Sequence, residues 1–250
     1  MTIAGGSGPG AWDDSAMAEV LIERRFRGPE KSGNGGYSCA MLARAIEGPA
    51  EVTLKAPPPL ERPLTVAPNG SEGVLLLDGE DIVAVGVQAS LDRRVPHSVS
   101  LQEAQRASER YEWVDDHPYP ACFVCGPTRE AGDGLRIFPG PVEGRELYAA
   151  PWTPDESVAD EDGTVHPEFA WAALDCPSGI VTDLFGEIGT ILLGRLAADL
   201  IVPLRAGETY VATAWPVARD GRKLDTGSAL HTVDGEMCAV ARARWIELET

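Results

Sequence analysis

Residues 165–179 place a charged side chain inside an apolar pattern that predicts a helix. The segment opens on His166 and Glu168, runs through apolar residues, and carries Asp175 near its far end. Asp175 has two interpretations. It accepts a local hydrogen bond where the helix ends, which Pro177 favours because proline removes a helical N–H. Otherwise it is a carboxylate buried for chemistry: a general base, or less favourably a nucleophile, whose pKa burial raises.

The start of the same helix has its own candidate residues. Pro167 suits the first helical position, and Glu168 suits the positive end of the helix dipole. His166 is expected to cap the helix or to position a substrate rather than to act as a base. We therefore count His166 and Glu168 as candidate substrate-binding residues.

Residues 32–46 contain a second feature with possible chemistry, a predicted helix that begins at Asn34, Gly35 and Gly36. Backbone N–H groups at a helix start are unpaired and lie at the positive end of the dipole. Directed at a carbonyl oxygen, they would stabilise an oxyanion by roughly 3 kcal/mol per donor. Glycine would let the substrate approach closely; the alternative is a loop-to-helix turn that needs unusual backbone angles.

The cysteines raise the question of a metal. His117, Cys122 and Cys125 could begin a zinc site, but a structural zinc ion normally takes four ligands and no second cysteine pair follows. His97 is the one obvious extra candidate. The alternative is a tight turn of buried thiols, and we expect no stoichiometric metal and no cofactor.

Composition excludes several classes of protein. The 250 residues carry a formal net charge of -18 and contain five cysteines. Because such an acidic surface repels phosphate backbones and anionic membranes, we expect no nucleic-acid or membrane partner. An odd cysteine count without a signal peptide favours reduced thiols and a cytoplasmic protein.

The two halves of the chain predict the same order of elements. The first half has a strand at 20–26, a helix at 36–46 and β-rich segments at 52–55 and 63–66. The second half has a strand at 146–152, a helix at 165–179 and β-rich segments at 200–204 and 210–215. Each half also has a hairpin signal, Asp78-Gly79 in the first and Asp234-Gly235 in the second. Ser100 and Glu103 have the spacing of a capping box and predict a polar helix between the halves.

This order resembles the hot-dog fold, and two units in one chain resemble the double hot dog of several acyl-coenzyme A thioesterases. The Gly-Gly helix start in residues 32–46 is similar to that of the thioesterase-like superfamily. Asp175, nine residues after His166, is similar to another branch in which a His-Gly-Gly turn opens the helix. This chain departs from both patterns: Pro167-Glu168 follows the histidine, and Ala43 stands nine residues after Asn34.

The resemblance implies an α+β fold of two tandem hot-dog units, each a central helix wrapped by a curved antiparallel sheet. We expect a flexible tail over 1–18, a first unit over 19–90, a connection over 91–130 and a second unit over 131–250.

The resemblance further implies hydrolysis of an acyl-coenzyme A or related thioester between the halves, with Asp175, Gly35 and Gly36 as catalytic groups and Asn34 in substrate binding. The alternative is a non-catalytic hot-dog protein that binds acyl groups or has a structural role. The resemblance also allows a homo-oligomer.

Overall fold

The computed structural model describes residues 18–96 and 98–249. Residues 1–17 of the predicted flexible tail lie outside the described residues, and so does His97. The described chain contains eleven strands and three α-helices. In chain order these are β1 (Ala18–Leu21), α1 (Gly35–Ala43), β2 (Ala50–Leu54), β3 (Pro63–Pro68), β4 (Val74–Asp78), β5 (Asp81–Gln88), α2 (Leu101–Ser108), β6 (Gly140–Pro141), β7 (Tyr148–Trp152), α3 (Pro167–Ile180), β8 (Ile191–Leu200), β9 (Tyr210–Asp220), β10 (Lys223–Thr232) and β11 (Met237–Glu247).

All of these strands form one antiparallel sheet in the order β1-β3-β4-β5-β2-β8-β11-β10-β9-β7-β6. Strands β1 to β5 and strands β7 to β11 have the same internal order, and in each set a helix follows the first strand. The two sets join where β2 pairs with β8, with Ala50 opposite Ala198 and Thr53 opposite Arg195. The chain is therefore an α+β protein built from two tandem units of one topology, as predicted.

The two Asp-Gly signals form turns at equivalent places in these units. Gly79 joins β4 to β5 with a φ of 62°, and Gly235 lies between β10 and β11 with a φ of 89°. A positive φ costs glycine little because it has no Cβ. The hairpins predicted from these dipeptides are thus confirmed.

The helices lie on both faces of the sheet. Helices α1 and α3 pack against each other and against the strands on one face, where they form the main core. Helix α2 covers the opposite face, because Ala149 packs with α2 while its neighbour Ala150 lies in the main core. Ser100 and Glu103 form both hydrogen bonds of the predicted capping box at the start of α2.

Three local predictions are wrong. The first strand, expected at 20–26, spans only Ala18–Leu21, and Arg24–Phe26 form a short 3-10 helix instead. The strand expected at 200–204 instead ends at Leu200 and begins at Ile191. Pro203 has no N–H to give to a sheet ladder, so the chain leaves the sheet before it reaches this residue.

The helix α3 also does not end beside Asp175. It continues through Pro177 to Ile180. Ser228 Oγ donates to the Leu174 carbonyl at 2.7 Å and Ser178 Oγ donates to the Asp175 carbonyl at 2.6 Å, so side chains stabilise the helix around the proline. Asp175 is therefore an internal helical residue, and the helix-end interpretation does not hold.

Among the described residues, no helix is both long enough and apolar enough to span a bilayer.

Candidate active site between the two helices

Asn34 organises the start of α1. Its Oδ1 accepts a hydrogen bond from the Tyr37 N–H at 2.9 Å, and its backbone carbonyl accepts from the Ser38 N–H, also at 2.9 Å. Asparagine is among the best N-cap residues because a short side-chain oxygen reaches the unpaired amides of the first turn. The cap leaves the Nδ2 of Asn34 free to donate elsewhere.

Asp175 of α3 lies directly against this helix start. Its Oδ2 accepts a hydrogen bond from the Gly36 N–H at 2.7 Å and from Asn34 Nδ2 at 2.9 Å. The residue is 2% exposed, and its Oδ1 has no hydrogen-bond partner within the described part of the chain. One oxygen is thus held in place, and the other is buried without a partner.

The surroundings of Asp175 favour a proton acceptor that works near neutrality. Burial raises the pKa of Asp175 to about 7, although the hydrogen bonds from Gly36 and Asn34 oppose that rise. Burial has this effect because a low-dielectric environment disfavours the charged carboxylate.

The two glycine amides differ in what they can do. The Gly36 N–H is occupied by Asp175, so it positions the carboxylate rather than a substrate carbonyl. The Gly35 N–H has no hydrogen-bond acceptor among the described residues, and Gly35 lines a cavity. Of the two amides expected to stabilise an oxyanion, only that of Gly35 is available.

The cavity has a volume of about 510 Å³ and reaches both Asp175 and the start of α1. This is within the usual range for a small-molecule site. Strands of the two units and the loop before α1 contribute its walls, which are mainly apolar and include Leu54, Ile191, Leu193, Trp245 and Leu248. Lys31 and Lys55 also line it and are exposed to solvent.

The structure does not bring His166 and Glu168 to this cavity. Both lie at the opposite end of α3, where Glu168 is 3.9 Å from Arg44. His166 occupies the N-cap position but makes no capping hydrogen bond through its side chain. Their assignment to substrate binding is therefore not supported by their position.

The symmetry-related position explains why the chain has one such site and not two. In the second unit the helix starts with Pro167, which has no N–H to offer. In the first unit the residue that corresponds to Asp175 by spacing is Ala43, which has no carboxylate. The first unit therefore supplies the Gly35 and Gly36 amides, and the second unit supplies the Asp175 carboxylate.

Sequence reasoning missed two sets of residues here. Lys31 and Lys55 carry no local signal of a shared site, because the loop and the strand that hold them meet only in the fold. Cys176 follows Asp175 directly, and its sulfur lies 3.6 Å from that of Cys122. The candidate site residues found from the sequence are those with helix-start or buried-acid patterns.

Comparison with known proteins identifies the architecture. No family model matches the chain, and no curated protein is detectably similar to it in sequence. The TesB protein of Mycobacterium avium subspecies paratuberculosis is 11% identical and matches with a TM-score of 0.61 over 97% of this chain and 96% of its own. A candidate thioesterase II from Thermobifida fusca is 16% identical, with a TM-score of 0.57 over 94% of each chain.

A third solved structure names the fold itself. It is a conserved protein of unknown function with a hot-dog fold from Alicyclobacillus acidocaldarius, 11% identical, with a TM-score of 0.54 over 96% of both chains. These matches extend over nearly the whole length, and the two sets of strands in this chain repeat one topology. The chain therefore has the hot-dog fold in two tandem units.

Proposed function

We propose that the protein hydrolyses an acyl-coenzyme A thioester in the cavity between its two units, with Asp175 as the general base. The observation that carries this proposal is the Asp175 carboxylate itself. Its Oδ2 is held by Gly36 and Asn34, and its Oδ1 is buried without a partner among the described residues. Buried polar atoms in native proteins are nearly always paired, so an unpaired carboxylate oxygen beside a cavity indicates a role with a ligand.

The reaction follows from the available groups. The Gly35 N–H would donate to the thioester carbonyl oxygen and stabilise the negative charge that develops there. Asp175 would take a proton from a water molecule as the water oxygen bonds to the carbonyl carbon. The C–S bond then breaks, the sulfur leaves as a thiolate that takes up the proton, and the products are a carboxylic acid and a free thiol.

The cavity walls support an acyl substrate. Leu54, Leu193 and Trp245 offer apolar contacts to a hydrocarbon chain or ring. Each methylene group buried there contributes about 0.8 kcal/mol to binding. The name of the thioesterase II structure supports the same reaction class, whereas the coenzyme A carrier rests on the lysines of this chain.

Lys31 and Lys55 favour a carrier with phosphate groups. They are two of the three lysines in a chain whose net charge is -18. Both line the cavity and are exposed, and neither forms an ion pair with the described carboxylates. An ammonium group is a common phosphate ligand, so this local positive charge suits the phosphates of coenzyme A.

A thioester panel tests the proposed function. Purified protein is supplied with acetyl-, hexanoyl-, palmitoyl- and benzoyl-coenzyme A and with matching oxygen esters, and the free thiol or acid is measured. We expect hydrolysis of at least one thioester and none of the oxygen esters, since an alkoxide is a much poorer leaving group than a thiolate. Binding of acyl-coenzyme A without hydrolysis of any member would instead favour the non-catalytic acyl-binding protein.

The lysines give a separate prediction about the carrier. Lys31→Ala and Lys55→Ala should each raise KM for the coenzyme A ester roughly fivefold with kcat unchanged, because an exposed ion pair is worth up to about 1 kcal/mol. Lys223→Ala, the third lysine, lies in β10 outside the cavity and serves as the matched control.

A phosphate-free substrate completes this test. The same acyl group on N-acetylcysteamine lacks the phosphates, so its KM should be the same for wild type and for both cavity variants. An equal rise in KM for the two carriers would show that the lysines act on the shape of the cavity and not on phosphate.

A further inference from the structure

Three cysteines from distant parts of the chain converge beside the candidate active site. Cys122 and Cys125 lie in the loop after α2, and Cys176 lies in α3 next to Asp175. Their sulfur atoms all lie within 4.8 Å of one another, and all three side chains are buried and free of disulfides. The sequence alone predicts no metal because no second cysteine pair follows Cys125; the fold supplies the third thiol from α3.

The spacing of the sulfur atoms suits a tetrahedral ion. Zn–S bonds of about 2.3 Å at tetrahedral angles place two sulfurs about 3.8 Å apart. The sulfurs of Cys122 and Cys176 are 3.6 Å apart. The other two pairs of sulfurs lie within 4.8 Å, so shifts of about 1 Å or less would bring all three to this spacing.

Hydrogen-bond donors converge on each of these sulfurs. Cys122 receives the backbone amides of Val124 and Cys125, and Cys176 lies 3.6 Å from Asn34 Nδ2. His117 Nε2 lies 3.3 Å from the sulfur of Cys125. A neutral thiol is a weak acceptor, whereas a metal-bound thiolate carries charge that such donors stabilise.

The tautomer of His117 decides its part in this cluster. Its Nδ1 accepts a hydrogen bond from the Tyr119 N–H at 2.8 Å, so this nitrogen carries the lone pair. The hydrogen of the neutral ring is then on Nε2, which donates to Cys125 and cannot also coordinate an ion. His117 is thus a hydrogen-bond donor to a ligand.

The loop is shaped for this arrangement by Gly126. A Cβ at this position would lie 2.5 Å from the backbone nitrogen and oxygen of Cys122. The Gly126 N–H donates to the Cys122 carbonyl at 3.0 Å, which closes the Cys-x-x-Cys turn. This close approach brings the amides of the turn toward the sulfur of Cys122.

We propose that Cys122, Cys125 and Cys176 bind one zinc ion as three thiolates, with His117 donating a hydrogen bond to Cys125. Soft thiolate ligands favour zinc over magnesium or calcium. Binding releases the three thiol protons to solvent and gives a centre of net charge -1, which the surrounding N–H donors stabilise. Cys122 and Cys176 line the cavity, so the fourth position is open to a water molecule from it.

Metal content tests this proposal without reference to hydrolysis. Protein purified without chelators or a metal-affinity tag should contain about one zinc per chain by elemental analysis. Alanine at Cys122, Cys125 or Cys176 should abolish this zinc. Alanine at Cys39 or Cys238 should leave it unchanged, and these controls are matched because all five cysteines are buried.

Cobalt substitution provides a readout that needs no variant to fold. Chelated wild-type protein titrated with Co²⁺ should develop sulfur-to-cobalt charge-transfer bands and intense visible bands at one equivalent. His117→Gln keeps an N–H donor and should retain the ion, whereas His117→Ala should weaken affinity by about 10–100-fold.

Several results would overturn the assignment. These are wild-type protein without zinc that gives no cobalt spectrum, iron or copper in place of zinc, or zinc retained by all three cysteine variants. A Cys122–Cys176 disulfide in protein that has not been chelated and contains no zinc as purified, seen as a loss of two hydrogens by mass spectrometry, would do the same. Complete loss of the ion in His117→Gln would make the imidazole a ligand and refute the three-thiolate centre.

Discussion

Asp175→Asn should lower thioester turnover by about 10²–10⁴-fold, the usual contribution of a positioned general base. Asparagine has nearly the same shape, and its one oxygen can still accept from Gly36 and Asn34, which now hold Oδ2. What it loses is the ability to take a proton from water. Substrate binding should persist, so the loss should appear in kcat rather than in KM.

Stability separates this role from a structural one. A buried carboxylate with an unpaired oxygen is not optimal for folding, so the melting temperature of Asp175→Asn should be unchanged or higher. Asp183→Asn is the matched control, because burial also raises the pKa of Asp183, to about 6, and this residue does not line the cavity. Full activity in Asp175→Asn together with a lower melting temperature would show that Asp175 only supports the fold.

Gly36→Ala should destabilise the protein by about 3 kcal/mol or more, at the upper end of the range for overpacked cores. An added Cβ would lie 2.5 Å from the Cβ of Asp175 and 2.6 Å from the backbone oxygen of Trp171. A backbone atom in the middle of α3 cannot move alone, so α1 and α3 would have to separate. For a chain of this length, such a loss lowers Tm by about 6–12 °C.

Gly35→Ala is the comparison that localises this effect. The three atoms nearest to its Cβ would all belong to side chains, with Leu193 at 2.7 and 3.0 Å and Asp175 Oδ2 at 3.3 Å. We therefore expect a smaller change in Tm, measured by thermal unfolding, and a clear loss of thioester hydrolysis as the cavity narrows. Equal melting temperatures for the two variants would contradict the close packing of α1 on α3.

Local patterns in the sequence were sufficient for the elements and their order. Asp-Gly dipeptides, the Ser100–Glu103 capping box and the Gly-Gly helix start act over a few residues, so they form the same structure wherever the chain places them. The hot-dog architecture then follows from the repeated order of strand, helix and strands. The strand at Ile191–Leu200 was misplaced because its apolar pattern continues into 201–204, and only pairing with β2 and β11 decides which residues enter the sheet.

The type of the candidate active-site residues was also predictable, since an acid in an apolar helix and glycines at a helix start are unusual locally. Their partners were not. Asn34 and Asp175 lie 141 residues apart in the chain, and their hydrogen bond depends on the packing of α1 on α3. The occupation of the Gly36 amide by Asp175, which leaves only Gly35 for a substrate, is likewise a consequence of that packing.

The cysteines show most clearly the difference between what a local pattern predicts and what tertiary packing decides. The Cys-x-x-Cys turn is visible in the sequence, but Cys176 is 54 residues from Cys122 and belongs to another element. His166 and Glu168 show the opposite case. Their spacing from Asp175 correctly predicts one shared helix, but they lie at the start of that helix, away from the cavity. Sequence patterns report contacts over one or two turns, whereas a site built across two helices depends on long-range packing, which local patterns do not encode.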